Sequence, residues 1–244
     1  MRNDSTGYRE LLLQLHMRGI QYDETRNEAF PEYATMHDQA APIPYLVISP
    51  KSEWGLSETL RLMNENGIYD DWPVSVRSGG HGYFNGASCE GIMVNLSLMD
   101  EGAVDGDTLV TQLGRILGRT IDTLAKAGKA VPHGDCFQVA AGGHFLTAGW
   151  DVILARKHGL GCQSVVGARI VLWDGSVLDV TDDTHPDLMW AMRGGAAAGV
   201  GVVSQIRVRV FDAPDTVAWR LTRLTRQQLQ MCVAAGVLER CCEL

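Results

Sequence analysis

Apolar and polar positions switch between two periods along this chain. Tyr45-Leu46-Val47-Ile48-Ser49 is a short, unbroken apolar run closed by Pro50, which predicts a buried strand. Ser52 then reads as an N-cap, and Leu56, Leu60 and Met63 recur at helical spacing until Gly67 stops the element. Val74 to Arg77, Ile92 to Leu96 and Leu109 to Leu113 predict three further strands, while Ile116, Leu117, Ile121, Leu124 and Ala125 form a helical apolar stripe ending at Gly128. Farther on, Val165 to Leu172 and Val177 to Val180 flank Asp174-Gly175, a hairpin signal. Thr184 is the expected cap of a helix starting at His185-Pro186, with Pro186 at the permissive first position and Asp187 in the first turn. Val200 to Phe211 predicts one long strand, and Leu229, Val233, Val237 and Leu238 a last helix. The order predicts an α+β protein of two lobes, without internal repeats and with no low-complexity run beyond Ala196-Ala197-Ala198.

Composition narrows the partners. The 244 residues are 45% hydrophobic and 20% charged, an ordinary globular balance with enough chain for one large domain or two lobes. A formal charge of −8 and the lack of any Lys/Arg-rich run argue against nucleic acid and against an anionic membrane surface, leaving a small molecule as the expected partner. The apolar stretch near the N-terminus is interrupted by Gln14, His16 and Arg18, so it does not read as a signal peptide, and no run reaches the length of a membrane span. Six cysteines, Cys89, Cys136, Cys162, Cys232, Cys241 and Cys242, show neither metal spacing nor a small disulfide framework. The expected location is therefore cytoplasmic and reducing, with no metal.

Chemistry concentrates in two short motifs. In Arg77-Ser78-Gly79-Gly80-His81-Gly82-Tyr83 the glycines can take positive φ and let backbone N–H groups converge on an anion, while Arg77 adds charge, so the turn can cradle a pyrophosphate. Gly134-Asp135-Cys136 follows, then Val139 and Gly142-Gly143-His144. Each residue also has a plain reading: His81 as a turn residue, Cys136 as a compact packed thiol, Gly142 and Gly143 as a tight turn, and His144 as a hydrogen-bonded structural histidine.

The ordered set does more than its parts. Val74 to Tyr83, Val131-Pro132-His133-Gly134, Arg156 to Leu160, His185 to Gly195 and Gly201-Val202-Val203 together resemble the FAD-linked oxidases with a vanillyl-alcohol-oxidase or PCMH-type FAD-binding domain, and within them the berberine-bridge-enzyme-like branch. The resemblance runs over about residues 40 to 213 and implies a PCMH-type domain of two α/β lobes with the flavin between them. It divides the chain into an N-terminal helical segment (1–39), the FAD-binding domain (40–213) and a C-terminal tail (214–244) that is expected to begin a truncated substrate domain. It implies flavin contacts from Arg77, Ser78, Gly79, Gly80, His81, Gly82, Tyr83, Cys136, Val139, Gly142, Gly143, His144, Gly149, Gly201, Val202 and Val203. In the family the matching histidine bonds to the 8α-carbon of the isoalloxazine, and in bicovalent members the matching cysteine joins its 6-position through sulfur. His133 and His158 match framework positions without a chemical role.

The implied function is an FAD-dependent oxidase of an alcohol, sugar or secondary metabolite, with dioxygen as the electron acceptor. A truncated, catalytically inactive flavin-domain remnant or interaction protein, and a dehydrogenase that passes electrons to a partner, are the other readings. No catalytic base, substrate or oligomeric state can be named from these residues. The chain also departs from the family pattern. Thr147 and Ala148 replace glycines, Asp151 replaces a third, Ala196-Ala197-Ala198 replaces a glycine run, Val200 stands for an aromatic and Gln163 for an acid. The added β-carbons are expected to crowd the dinucleotide, and Asp151 to place negative charge near it. An apolar rim around the cleft is expected as well.

Overall fold

The computed structural model describes residues 5–24, 41–83, 85–197, 199–216 and 223–237. The first lobe begins with α1 (Thr6–Met17), whose first turn is capped by Ser5 Oγ accepting from the Tyr8 amide at 3.2 Å. It continues through β1 (Gln21–Glu24), β2 (Leu46–Ser49), α2 (Glu53–Glu65), α3 (Ile68–Asp71), β3 (Val74–Arg77) and β4 (Ile92–Asn95). The sheet runs β1-β2-β4-β3, with β2, β4 and β3 parallel and β1 antiparallel to β2. β2 and β4 are buried at every position, which is why their sequence is a continuous apolar run rather than an alternation. Ser52 caps α2 as expected, accepting from the Gly55 amide at 3.1 Å, and Gly67 takes a left-handed φ of 67° just beyond its end.

The second lobe is antiparallel. It comprises β5 (Gly102–Asp105), β6 (Thr108–Gln112), α4 (Leu117–Lys126), β7 (Lys129–Ala130), α5 (Ala141–Thr147), α6 (Ala155–His158), β8 (Val165–Leu172), β9 (Val177–Val180), α7 (Pro186–Met192), β10 (Gly201–Arg209) and β11 (Phe211–Asp212), with α8 (Arg226–Ala234) after it. Its five-stranded sheet has the order β5-β6-β10-β8-β9, and β11 pairs with β7. The β8–β9 hairpin turns at Gly175 as the Asp174-Gly175 signal predicts.

The lobes are joined around α2. A β-carbon on Gly175 would lie 2.6 Å from Arg61 Cβ and 2.7 Å from Ser57 O, so the hairpin tip abuts the first-lobe helix. At the start of α2, Glu53 accepts from both Arg169 Nε and Nη2, at 2.7 and 2.6 Å, and from Ser204 Oγ at 2.7 Å. One apolar core runs through both lobes, from Leu11 and Leu60 to Ile170 and Ile206.

Two sequence expectations are corrected, and one plain alternative reading is set aside. His185 occupies the N-cap of α7 without a side-chain cap bond, while the Thr184 hydroxyl donates to Asp179 O and accepts from the Thr181 amide, closing a local turn instead. The strand expected over Val200 to Phe211 divides, because β10 ends at Arg209 and β11 turns to pair with β7. Gly142 and Gly143 lie within helix α5, not a tight turn.

Candidate functional site

β3 delivers the glycine loop to the junction of the lobes. Arg77 ends the strand, and its carbonyl accepts from the Leu96 amide at 2.8 Å. Gly80 has φ 69°, and a β-carbon there would meet Arg77 Nε at 2.8 Å, so the guanidinium folds over an α-carbon that must stay bare. A β-carbon on Gly79 would lie 2.8 Å from the Ala140 amide nitrogen, which means the loop backbone is pressed against residues 138–140. Ser78 Oγ donates to the Leu113 carbonyl, and the Gly142 amide donates to the same oxygen at 3.0 Å. That one carbonyl ties β6, the glycine loop and α5 together. Gly142 must be glycine for the same reason, since its β-carbon would come within 2.6 Å of Ser78 Oγ.

Cys136 sits on the segment pressed against this loop. Val139 N donates to Cys136 O, Leu117 N to Val139 O at 2.8 Å and Gly118 N to Phe137 O at 3.0 Å, so the start of α4 holds the far side of the segment. The outcome is the central geometric fact of the molecule: Cys136 Sγ lies 4.0 Å from His81 Nε2, although the two are separated by 55 residues. Cys136 is exposed, as are Gly82, Tyr83 and the neighbouring Phe137.

Behind the pair, α5 is anchored by its amides. Ala141 N donates to Arg115 O at 2.8 Å, whereas Gly143 faces open space and is exposed. His144 is buried, and its Nε2 lies 3.1 Å from the Pro132 carbonyl. A carbonyl only accepts, so Nε2 carries the proton; burial pushes the imidazole pKa down and keeps the ring neutral. His144 thus holds the segment leading to Cys136. Gly149 has φ 75° and its carbonyl accepts from Gly161 N at 2.7 Å.

Asp151 departs from its expected role. It is buried, its Oδ1 accepts from the Ile153 amide at 2.6 Å and from the Leu154 amide, and its Oδ2 accepts from the His133 amide at 3.4 Å. Its charge is directed at backbone donors of its own chain. Thr147 Oγ1 likewise turns back to Gly143 O at 2.5 Å. Ala196 is the one non-glycine residue with positive φ among those described, at 53°, so the position at which the family pattern carries glycine is a left-handed one here.

Gly201, Val202 and Val203 lie in β10 against β8, where a β-carbon on Gly201 would come within 2.2 Å of Val171 O. Val202 and Val203 are buried in the core, so cross-strand packing accounts for all three. Val139 packs against the same core from its edge. Sequence reasoning found the loop, the histidine and the thiol; it missed the Leu113 carbonyl, because a backbone acceptor leaves no residue-type signal, and the backbone-capping use of Asp151.

Comparison with known proteins decides what this geometry belongs to. The family model described as an FAD binding domain matches residues 44–181. The chain belongs to that family, the FAD-linked oxidases with a PCMH-type FAD-binding domain, in the berberine-bridge-like branch. It is 31% identical over 179 residues to glucooligosaccharide oxidase of Sarocladium strictum, covering 71% of this chain and 35% of the relative. It is 30% identical over 182 residues to berberine bridge enzyme-like 23 of Arabidopsis thaliana, covering 71% and 33%. A solved structure of glucooligosaccharide oxidase from Acremonium strictum, described as carrying a 6-S-cysteinyl, 8α-N1-histidyl FAD, superposes with a TM-score of 0.73 at 26% identity over 84% of this chain and 43% of that one. The chain spans about a third of the length of these curated relatives. FAD is the cofactor of this family, and the residues present fit it: the bare α-carbon of Gly80 with Arg77 folded over it, Gly79 packed on residues 138–140, and an imidazole and a thiol together at the open end.

Proposed function

We propose that this protein holds FAD through covalent bonds to His81 and Cys136 and serves as the flavin unit of an oxidase acting on a sugar, alcohol or related small metabolite. The observation that carries the reading is the 4.0 Å approach of Cys136 Sγ to His81 Nε2. Held by His81 and Cys136, FAD would supply a hydride acceptor for substrate oxidation, with dioxygen as the final oxidant and hydrogen peroxide as the product.

The chain's own residues supply the holding and orienting. His81 brings an imidazole nitrogen on the glycine loop and Cys136 a thiol facing it, while Gly79, Gly80 and Gly82 keep the loop backbone bare beside the Arg77 charge. Tyr83, Phe137 and Trp150 stand 79%, 65% and 63% exposed in the same stretches of chain, which supports an apolar rim suited to a flat ring system or its cover. The flavin-holding unit is read as residues 40–213, and a cytoplasmic setting accords with the free thiols of Cys89, Cys136, Cys162 and Cys232.

A second reading keeps the flavin and drops the turnover. The chain corresponds to about a third of its curated relatives, so it can act as a flavin-carrying module whose activity depends on further chain or a partner. Incubating flavin-loaded protein with a panel of oligosaccharides and simple alcohols, and following peroxide, separates the two. Peroxide formed with any member supports the oxidase. Flavin that stays oxidised throughout the panel while being retained by the protein supports the module, and reduction that needs an added dye for reoxidation points to a dehydrogenase.

A further inference from the structure

We propose that Asp151 is a positioning residue for Cys136, fixing the arm of backbone that carries the thiol and so deciding whether the second flavin bond forms. The inference rests on the covalent reading above. The residue stands where the resembling family's pattern carries glycine, and it is 5% exposed.

A buried carboxylate is costly unless its oxygens are satisfied, so its position is dictated by its donors. Oδ1 takes the amides of Ile153 and Leu154; Oδ2 reaches across to the amide of His133, three residues before Cys136. The same arm is held at Pro132 by His144 Nε2, and Gly134 passes within 3.9 Å of the Trp150 carbonyl as measured from its would-be β-carbon. The far side of the segment is fixed separately, by the amides of Leu117 and Gly118. Cys136 therefore sits between two clamps, and Asp151 is the charged member of the first. The His81 loop is braced through the Leu113 and Leu96 contacts and rests on residues 138–140, beyond the thiol, so loosening Asp151 frees the arm before Cys136 and moves the thiol relative to the imidazole.

Two variants of the full chain, Asp151→Ser and Asp151→Asn, test this against wild type. Serine can still cap the Ile153 and Leu154 side but is too short to reach His133, and asparagine, with a single acceptor oxygen, sets its NH2 against the His133 amide when that oxygen holds Ile153 and Leu154. Each is loaded with FAD, digested and mapped by mass for flavin on the His81 peptide alone against flavin bridging the His81 and Cys136 peptides. The expected result is a drop of about tenfold in the bridged-to-single ratio for Asp151→Ser and a similar drop for Asp151→Asn, since each loses the bond to the His133 amide, with little change in Tm. Hydrogen exchange on the cofactor-free proteins should quicken over residues 133–138 in Asp151→Ser and stay unchanged over 78–83. A wild-type ratio in Asp151→Ser, or equal loss of both attachments in step with Tm, overturns the proposal. Wild-type protein that takes up no covalent flavin overturns the covalent reading instead, and the exchange pattern then decides the role of Asp151.

Discussion

A β-carbon at position 79 has nowhere to go: 2.8 Å to the Ala140 amide nitrogen is closer than real contacts allow, and the neighbour is backbone. Gly79→Ala should therefore push the His81 loop away from the Cys136 segment, lowering the unfolding free energy by about 1–3 kcal/mol in urea titrations and cutting covalent flavin content. Ala196 is the opposite case. Its φ of 53° strains an L-residue, so Ala196→Gly should relieve that strain, offset in part by the looser unfolded chain, for a net gain of about 0.5–1 kcal/mol. A raised urea midpoint with unchanged slope would bear this out, and a lowered midpoint would contradict it. At this scale the sequence is candid about glycines and nucleophiles, since residue type and conformational need coincide. It is silent about what a side chain of versatile chemistry will bond to. Asp151 reads as a misplaced charge until its oxygens are seen on the amides of His133, Ile153 and Leu154.

Among elements, α2 shows why some boundaries were legible. Its cap, apolar spacing and glycine stop are all local signals, and each is found in place. β5, with every second residue exposed, and the seven-residue α5 carry weak local patterns and form because β6 and the Arg115 and Leu113 carbonyls offer them partners. What joins α2 to the second lobe was not legible at all, being a contact between residues more than a hundred positions apart. There the Arg169 guanidinium bonded to Glu53 holds its carboxyl below the usual range, with Ser204 assisting against the opposing effect of burial. A folded pKa below the unfolded value means the stabilisation is complete above the ordinary glutamate value of 4.5 and fades as pH falls through the lower folded value. Glu53→Gln should cost about 1 kcal/mol at neutral pH, the partial exposure of the pair discounting a stronger figure. The gap between variant and wild type should close progressively below pH 4.5 in thermal melts; a gap constant down to acid pH would count against the bridge.

For the molecule as a whole, two lobes of different sheet type meet at a line of glycines, and the cofactor completes the junction. Ligand that binds only the folded state stabilises by mass action, so the double variant His81→Ala with Cys136→Ala, which can bind FAD only reversibly, should gain about 2.7 kcal/mol at a free FAD concentration of about 100 times its Kd. A Tm that does not respond to FAD would mean that the junction does not accept it. The bond between protein and flavin can be read directly. Purified protein, loaded with FAD and precipitated in acid, should keep its yellow colour in the washed pellet; His81→Ala and Cys136→Ala should each weaken that retention or shift its spectrum, and the double variant should lose it. A colourless wild-type pellet, with all the flavin in the supernatant, would contradict the claim that His81 and Cys136 are brought together to hold the cofactor.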